Sequence, residues 1–349
     1  MKSSKLITLL GVLSVGVAAL TGCAPGGGTS SVSDGPLVVY TPQGDGERGT
    51  YITEHAKSEL GIDVKLVTGG GGALQTRLVS EKNNPQADVV LGLGEAQLHQ
   101  VAAEGVLEPY APAWANQIPA NFRGNSHEFS LLTQTPIVLA YNTAQMGATE
   151  APMSWEDLAK PQYKNKFVLP GLTGQTGQAV VVGLLWRYAD HKTGEVSPQG
   201  WDLVSKVLSN ALPLPEGKKF DWGMVSSGQT PIVVNWLGGV QTGAADNKLT
   251  MQVVNTPGGT PFVSTGIGTV KDTKRQLEAQ KFIDWFGSAN FQVGFVKTTN
   301  NDTPLNSDAV RQLPEAAALA QVGKQDIDWS VVARKLPAWL EKIQLELQG

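Results

Sequence analysis

Short apolar runs alternate along the chain with longer stretches whose apolar residues recur at helical spacing, a rhythm that predicts a layered α/β protein. Leu37 to Tyr40 is the first predicted strand. Thr50 to Leu60 predicts a helix with Ile52, His55, Ala56 and Leu60 near one face and Gly61 as its stop. Ile62 to Val67 is the next strand, and strand–helix–strand at this length implies a parallel βαβ unit. A second helix is expected over Ala73 to Lys82, a third strand over Ala87 to Leu91, a loop at Gly92-Leu93-Gly94-Glu95, and a third helix to about Glu104. The stretch from Gly105 to Phe129 reads as loop, and Leu131 to Asn142 as one long extended run. Beyond it, Ser154 to Leu158 reads as a helix start, Phe167 to Pro170 as a strand, and Gln178 to about Ala189 and Gly200 to Ser209 as helices. Further strands are expected at Thr230 to Trp236, Leu249 to Val254 and Phe262 to Val270, with an amphipathic helix over Lys274 to Phe286 and two helices in the tail.

One junction carries candidate chemistry. Val64 to Val67 runs into Gly69-Gly70-Gly71-Gly72, and helical periodicity begins at Ala73. Glycine permits a turn at φ > 0 and close approach of a ligand to the main chain. A helix that follows presents unpaired N–H groups and a partial positive charge, which suit an anion. A flexible loop that binds nothing has the same composition. The plan recurs about 100 residues later, where Phe167 to Pro170 leads through Gly171-Leu172-Thr173-Gly174-Gln175-Thr176-Gly177 into an apolar helix. Two helix N-termini facing one cleft would clamp one anion from both sides. By contrast, Gly92-x-Gly94 is a poor dinucleotide fingerprint, because position 97 is Gln and the first βα turn lacks the motif.

Length and composition narrow the class. The 349 residues suffice for about two domains, and 41% apolar with 17% charged residues fits a globular protein with a core. A net charge of −4 argues against nucleic acid as a partner. There is no GxxxxGK[ST], HExxH or CxxC, and the four histidines (His55, His99, His127, His191) are scattered. No metal site or cofactor is expected. Lys2 and Lys5 precede an apolar run, Leu6 to Leu20, too short to remain as a membrane span. It ends in Leu20-Thr21-Gly22-Cys23, which resembles the lipobox of bacterial lipoproteins and implies cleavage before Cys23 and lipidation of its thiol. The Gly- and Ser-rich stretch that follows reads as a flexible tether.

The order of features resembles the bacterial extracellular solute-binding proteins of ABC importers, in the branch that holds ferric-iron and phosphonate binders. The resemblance rests on the lipobox, Tyr40 after the first strand, the Gly-rich second βα loop, Asp88-Val89-Val90, and Ile137 to Asn142. It continues with Ser154 to Leu158, Thr173 to Gly177, Val234-Asn235-Trp236 and Lys281 to Ser288 with Phe291-Gln292. It implies a type II periplasmic-binding-protein fold of two α/β lobes joined by crossing strands, cleft closure on a solute, a permease and an ATPase as partners, and no chemistry on the ligand. The domains expected are a leader over 1–22, a lipidated Cys23 and tether over 23–36, and a first lobe over 37–133 plus about 260–298. A second lobe spans 134–259, and C-terminal helices over 299–349 pack on it; a monomer is expected. Ferric binders of the branch carry adjacent tyrosines shortly after an Asn, but here Asn235-Trp236 is followed by Leu237-Gly238, and all six tyrosines are isolated. A small organophosphorus anion such as 2-aminoethylphosphonate is the preferred solute, with ferric iron, a polyamine or a thiamine-type solute as alternatives. The expected donors are Gly69, Gly70, Gly71, Gly72 and Ala73 in one lobe, Thr173, Gly174, Gln175 and Thr176 in the other, with Thr41, Gln43 and Asn235 completing the shell. Glu47, Glu95 or Asp221 could meet an ammonium group, and Trp236 could stack on the ligand. The competing classes are a lipid-anchored enzyme that uses Glu95 or Asp221 and a sensor that presents its ligand to a receptor.

Overall fold

The computed structural model describes residues 35–124, 126–214, 219–299, 303–313 and 322–347. The leader, Cys23 and almost all of the expected tether lie outside the described residues. Two strands govern the architecture because both are buried along their whole length: β3 (Val89–Gly94) and β10 (Phe262–Val270). Strands covered on both faces become largely apolar runs; β3 is one, and β10 keeps Ser264, Thr265 and Thr269 buried among its apolar residues. Around them the strand order is β2-β1-β3-β10-β5-β8-β6-β7. Here β1 is Leu37–Thr41, β2 Val64–Thr68, β5 Ser130–Asn142, β6 Phe167–Leu169, β7 Leu212–Pro213 and β8 Ile232–Trp236. Three short strands lie beside this path: β4 (Leu107–Glu108) on β10, and β9 (Met251–Val253) and β11 (Thr303–Pro304) on β5.

The long strand β5 serves two sheets. Its first half, Ser130 to Pro136, pairs antiparallel with β10, and its second half, Ile137 to Asn142, pairs antiparallel with β8 and β9. The parallel set β2-β1-β3 builds the first lobe, and the parallel set β8-β6-β7 the second. Each lobe has its own core. The first holds Leu37, Val39, Leu91 and an aromatic group of Phe282, Phe286, Phe291 and Phe295; the second holds Ile137, Trp155, Phe167, Val182, Trp186 and Val204.

Helices begin earlier than the sequence suggests. Helix α1 spans Gly46–His55 and continues as a wider turn over Ala56–Leu60; α2 spans Gly71–Ser80, α3 Glu95–Ala103 and α4 Gln175–Trp186. The later helices are α5 (Pro198–Asn210), α6 (Trp222–Ser226), α7 (Leu237–Asp246), α8 (Gln276–Phe286), α9 (Ala289–Thr299) and α10 (Ser307–Val310). The expected loop at 92–95 does not exist: β3 runs directly into α3, just as β8 runs directly into α7. Glycines that read as loop residues occupy first helical turns, where the missing Cβ is what matters. On Gly177 it would meet the carbonyls of Pro170 and Gly171, and on Gly239 the Trp236 ring. The helix expected at Ser154 is only a 3₁₀ turn, Glu156–Ala159, with the Ser154 hydroxyl accepting the Asp157 N–H at 3.2 Å.

The C-terminal helix, Trp329–Lys342, does not belong to the second lobe alone. Val331, Val332, Leu336 and Trp339 enter the second core, while the helix also packs along α3 and the Gln100 amide donates to the Ala333 carbonyl at 2.7 Å. It therefore spans the seam between the lobes.

Helix α8 offers a test of the first core. Phe282 has no exposed surface, whereas Leu277 is 73% exposed. Phe282→Ala should cost about 3–5 kcal/mol in urea unfolding, and Leu277→Ala within about 0.5 kcal/mol.

Candidate functional site

Three first turns meet at one point, and Gly71 is what lets them. A Cβ placed on Gly71 would lie 2.8 Å from Gln97 Oε1 and 3.2 Å from Gln175 Nε2. Gln97 belongs to the first turn of α3, where its Oε1 accepts the Gly94 N–H at 3.2 Å. Gln175 opens α4 in the other lobe, and its Nε2 donates to Gly92 O and to Gln97 Oε1, both at 3.4 Å. The N-terminal ends of α2, α3 and α4 thus converge across the interlobe seam. In α2 the first helical bond runs from Leu74 N to Gly70 O, so the N–H groups of Gly71, Gly72 and Ala73 precede it. In α4 the first runs from Gln178 N to Gly174 O, and the same holds for Gln175, Thr176 and Gly177. Helix N-termini carry partial positive charge, so their meeting favours a negative group.

The loop after β1 joins this ensemble from below. Thr41 has no exposed surface, and its hydroxyl accepts the Gln43 N–H at 3.0 Å, which fixes the turn. The Gln43 side chain then lies against Gly92, whose φ of +80° and bare Cα make room for it; a Cβ there would sit 2.8 Å from Gln43 Cδ. Gly92 is the residue by which β3 slips register against β10, where Gly266 faces Leu93 and Ile267 faces Leu91.

The remaining expected residues divide. Gly69 and Gly70 approach α2, with Gly70 at its N-cap in an ordinary extended conformation. None of the four consecutive glycines has positive φ; the expected need for a left-handed turn there is replaced by the need for close approach at Gly71. Gly174 caps α4, but Thr173 is exposed and lines a groove of about 570 Å³ with Leu169, Leu208 and Pro213 at the edge of the second sheet. Asn235 and Trp236 end β8. The Asn235 Oδ1 accepts the Trp236 N–H at 2.9 Å, and the Trp236 ring packs on Gly239 and the second core. Asp221 caps α6 by accepting the Gly223 N–H at 2.8 Å, and Glu47 is exposed in α1. His55 stacks on Tyr51, His99 meets Phe129 edge-on and His191 stacks on Trp186.

Glu95 has a different environment. It is the first residue of α3, and it shares a small cavity of about 30 Å³ with Gln97, Gln175, Gln178, Ser264 and Trp329. Burial pushes its carboxyl up to about 7; Lys324 and the Ser264 hydroxyl act in the opposite direction, and Asp328 adds to the rise. Burial likewise lowers the Lys324 ammonium, which lies over Phe122 at 4.8 Å and Phe262 at 5.6 Å.

Gln97 and the Glu95 surroundings were not legible as site features. Gln97 had a signal: Gly94-x-x-Gln97 has the capping-box spacing, with glutamine three residues after the cap. Ser264, Lys324 and Trp329 had none, because only the fold brings β10 and the C-terminal segment to α3.

Residues 84–329 match the family model described as bacterial extracellular solute-binding protein. "Probable ABC transporter periplasmic-binding protein y4fP" of Sinorhizobium fredii is 39% identical over 317 residues, covering 89% of this chain and 86% of that protein. "Fe(3+)-binding periplasmic protein" of Serratia marcescens is 26% identical, with 79% and 80% covered. "Putative 2-aminoethylphosphonate-binding periplasmic protein" of Salmonella typhimurium is 29% identical over 170 residues, 47% of this chain and 48% of that one. Among solved structures, the periplasmic binding protein AfuA from Actinobacillus pleuropneumoniae, with fructose-6-phosphate bound, aligns at a TM-score of 0.76 and 21% identity over 90% of this chain and all (100%) of that one. The likeness to such structures makes the fold a type II periplasmic binding protein, with the two lobes expected.

The buried carboxyl has a measurable consequence. Its folded pKa, about 7, lies above the ordinary 4.5, so between those values the folded chain holds a proton that the unfolded chain has released. Stability should therefore fall as pH rises through that window, by up to about 3 kcal/mol. Urea unfolding at pH 5 and pH 8 should show this fall in the parent chain and a smaller one in Glu95→Gln.

Proposed function

Because the chain belongs to the bacterial extracellular solute-binding protein family, and is the substrate-binding component of an ABC import system acting outside the cytoplasm, we propose that its solute is a small organophosphorus anion held where the three first turns meet. The family works without chemistry on its ligand, and its partners are the permease and ATPase of the importer. The observation that carries the anion reading is the convergence of α2, α3 and α4 on Gly71, Gln97 and Gln175. No Lys or Arg is among the described residues that line the small cavity beside Gln97 and Gln175. The site offers backbone N–H groups and carboxamides, which bind an anion by fixed dipoles. A helix terminus contributes only about 0.3–1 kcal/mol, whereas each direct hydrogen bond to a charged group contributes roughly 1.5–3 kcal/mol. The N–H groups of Gly71–Ala73 and Gln175–Thr176, with Gln43 and Gln97, are the donors in this reading. Asn235 extends the shell from the second sheet, and Trp236 shapes its wall.

The phenols support an organic anion over ferric iron. Tyr40 donates to Glu81 at 2.9 Å, Tyr110 to Asp284 at 2.7 Å and Tyr163 to the Glu150 carbonyl at 3.1 Å. Burial and Glu81 push the Tyr40 hydroxyl up to about 12, and burial with Asp284 pushes Tyr110 higher still. Both shifts oppose the phenolate that iron would need. Among the described residues no group of three or more His, Cys, Asp or Glu could hold a metal ion. The phosphonate-binding relative and the sugar-phosphate complex of a protein with the same fold are consistent with this solute class.

Titration calorimetry with 2-aminoethylphosphonate, fructose-6-phosphate, ferric citrate and spermidine tests the solute. At least one of the first two should bind at micromolar concentration or tighter. Gly71→Val should weaken that binding about 10- to 100-fold, the loss of one charged-group hydrogen bond. Binding of ferric citrate or spermidine with no response to either phosphorus compound would sink the solute assignment.

We also propose that Leu20-Thr21-Gly22-Cys23 anchors the chain to a membrane through a lipidated thiol. Among the described residues no helix is long and apolar enough to cross one. Cys23→Ser should move the protein from the membrane pellet to the soluble fraction; retention in the pellet would refute the anchor.

A further inference from the structure

We propose that closure of the two lobes traps a proton on Glu95, so that capture of the anion is coupled to proton uptake. The geometry is that of a seam. Glu95 stands on α3 of the first lobe, and the cavity of about 30 Å³ around its carboxyl is completed by Gln175 and Gln178 from α4 of the second lobe. Ser264 on β10 and Trp329 on the C-terminal helix close the remaining sides. A space of that size holds about one water. Periplasmic binding proteins close by hinge motion. Glu95 is half-buried and also borders a larger cavity that α4 does not line, so drawing α4 away from α3 removes a further wall and raises the hydration of the carboxyl. The ionised form is favoured in the open state and disfavoured in the closed one.

The charged neighbours do not cancel this. On α3 itself, His99 follows one turn later, and burial holds its ring below the ordinary range. From the C-terminal segment, Lys324 favours ionisation of Glu95 and Asp328 opposes it. Asp326 from that segment, with Arg123 and His127 from the loop before β5, lines a larger cavity of about 650 Å³ that Glu95 also borders. α4 contributes only the neutral Gln175 and Gln178, and β10 the Ser264 hydroxyl, buried without a conventional hydrogen-bond partner. Burial remains the largest influence and pushes the Glu95 carboxyl up to about 7, above the ordinary 4.5 toward which hydration returns it. By linkage the closure constant then falls about tenfold between pH 6 and pH 8.

The calorimetric test rests on the anion reading above; a scattering test does not. With 2-aminoethylphosphonate at pH 6, titration in two buffers of different ionisation enthalpy should show close to one more proton taken up by the parent chain than by Glu95→Gln. The ligand's own titration is common to both proteins and drops out of the difference. The parent should bind about tenfold more weakly at pH 8 than at pH 6 relative to Glu95→Gln, whose affinity should follow only the ligand's titration. Lys324→Met, which removes the cation, should move the parent's loss of affinity to higher pH. Equal proton uptake in parent and Glu95→Gln would overturn the proposal. If no phosphorus compound binds, small-angle scattering of the ligand-free chain still decides. A radius of gyration that shrinks from pH 8 to pH 6 in the parent and stays constant in Glu95→Gln supports the coupling, and the same radius at both pH values in the parent overturns it. A pH-dependent radius in the parent with no phosphorus compound bound means that the anion reading alone has failed.

Discussion

The molecule is arranged around a side chain that is missing. A Cβ at Gly71 would meet the carboxamide ends of Gln97 and Gln175 at 2.8–3.2 Å, so a larger residue there must displace those side-chain ends. Around the same point lie the Gln97 bond to Gly94 N–H, the reach of Gln175 to Gly92 O, and the Gly92 bulge that seats Gln43. These are short-range steric conditions, and they make the cleft a place where backbone N–H groups from two lobes can face one ligand.

Mobility between the lobes has to coexist with that precision. The strand β5 changes sheet midway, and the C-terminal helix packs on α3 while anchoring in the second core. The segment that leads to this helix is also tied down on the second lobe, with Trp186 Nε1 donating to the Asp326 carbonyl at 2.7 Å and Gln325 Nε2 to the Gly183 carbonyl at 2.9 Å. Lys324 of the same segment reaches Phe122 of the first lobe. The lobes are thus joined by continuous elements at their back, while α2, α3 and α4 touch through side-chain amides at their front. Amide contacts of 3.4 Å are long for hydrogen bonds and can be exchanged for those of a ligand.

Much of this was readable from residue order. The strand at Phe262–Val270, the long run ending at Asn142 and the parallel βαβ start all follow from local hydrophobic pattern. The recurring error lay in glycine. Gly71, Gly72, Gly238 and Gly239 look like loop, because glycine lowers helix propensity by about 1 kcal/mol, yet they lie in first turns. There the propensity cost is outweighed by contacts that no other residue permits, as the Trp236 ring against Gly239 shows. The site was legible to the extent that it is made of helix starts following strands. It was not legible where it depends on distant segments: Ser264 and Trp329 meet Glu95 only because β10 lies beside β3 and the last helix beside α3.

The charge at the seam and the charge of the ligand bear on one another. Glu95 shares its cavity with Gln97 and Gln175, the side chains that mark the anion's place. An ionised carboxylate there would repel an anion across a region of low dielectric, where interactions are screened less than at the surface. A protonated one would not, and it could donate a hydrogen bond instead. An anion in the cleft therefore disfavours ionisation of Glu95 further, in the same direction as burial, so closure, anion capture and protonation reinforce one another. A cationic solute would act in the opposite sense, drawing the proton off and making the buried carboxylate a partner. The small cavity around Glu95, with three glutamines and without a lysine or arginine, fits the first arrangement and offers nothing to stabilise the second beyond Glu95 itself.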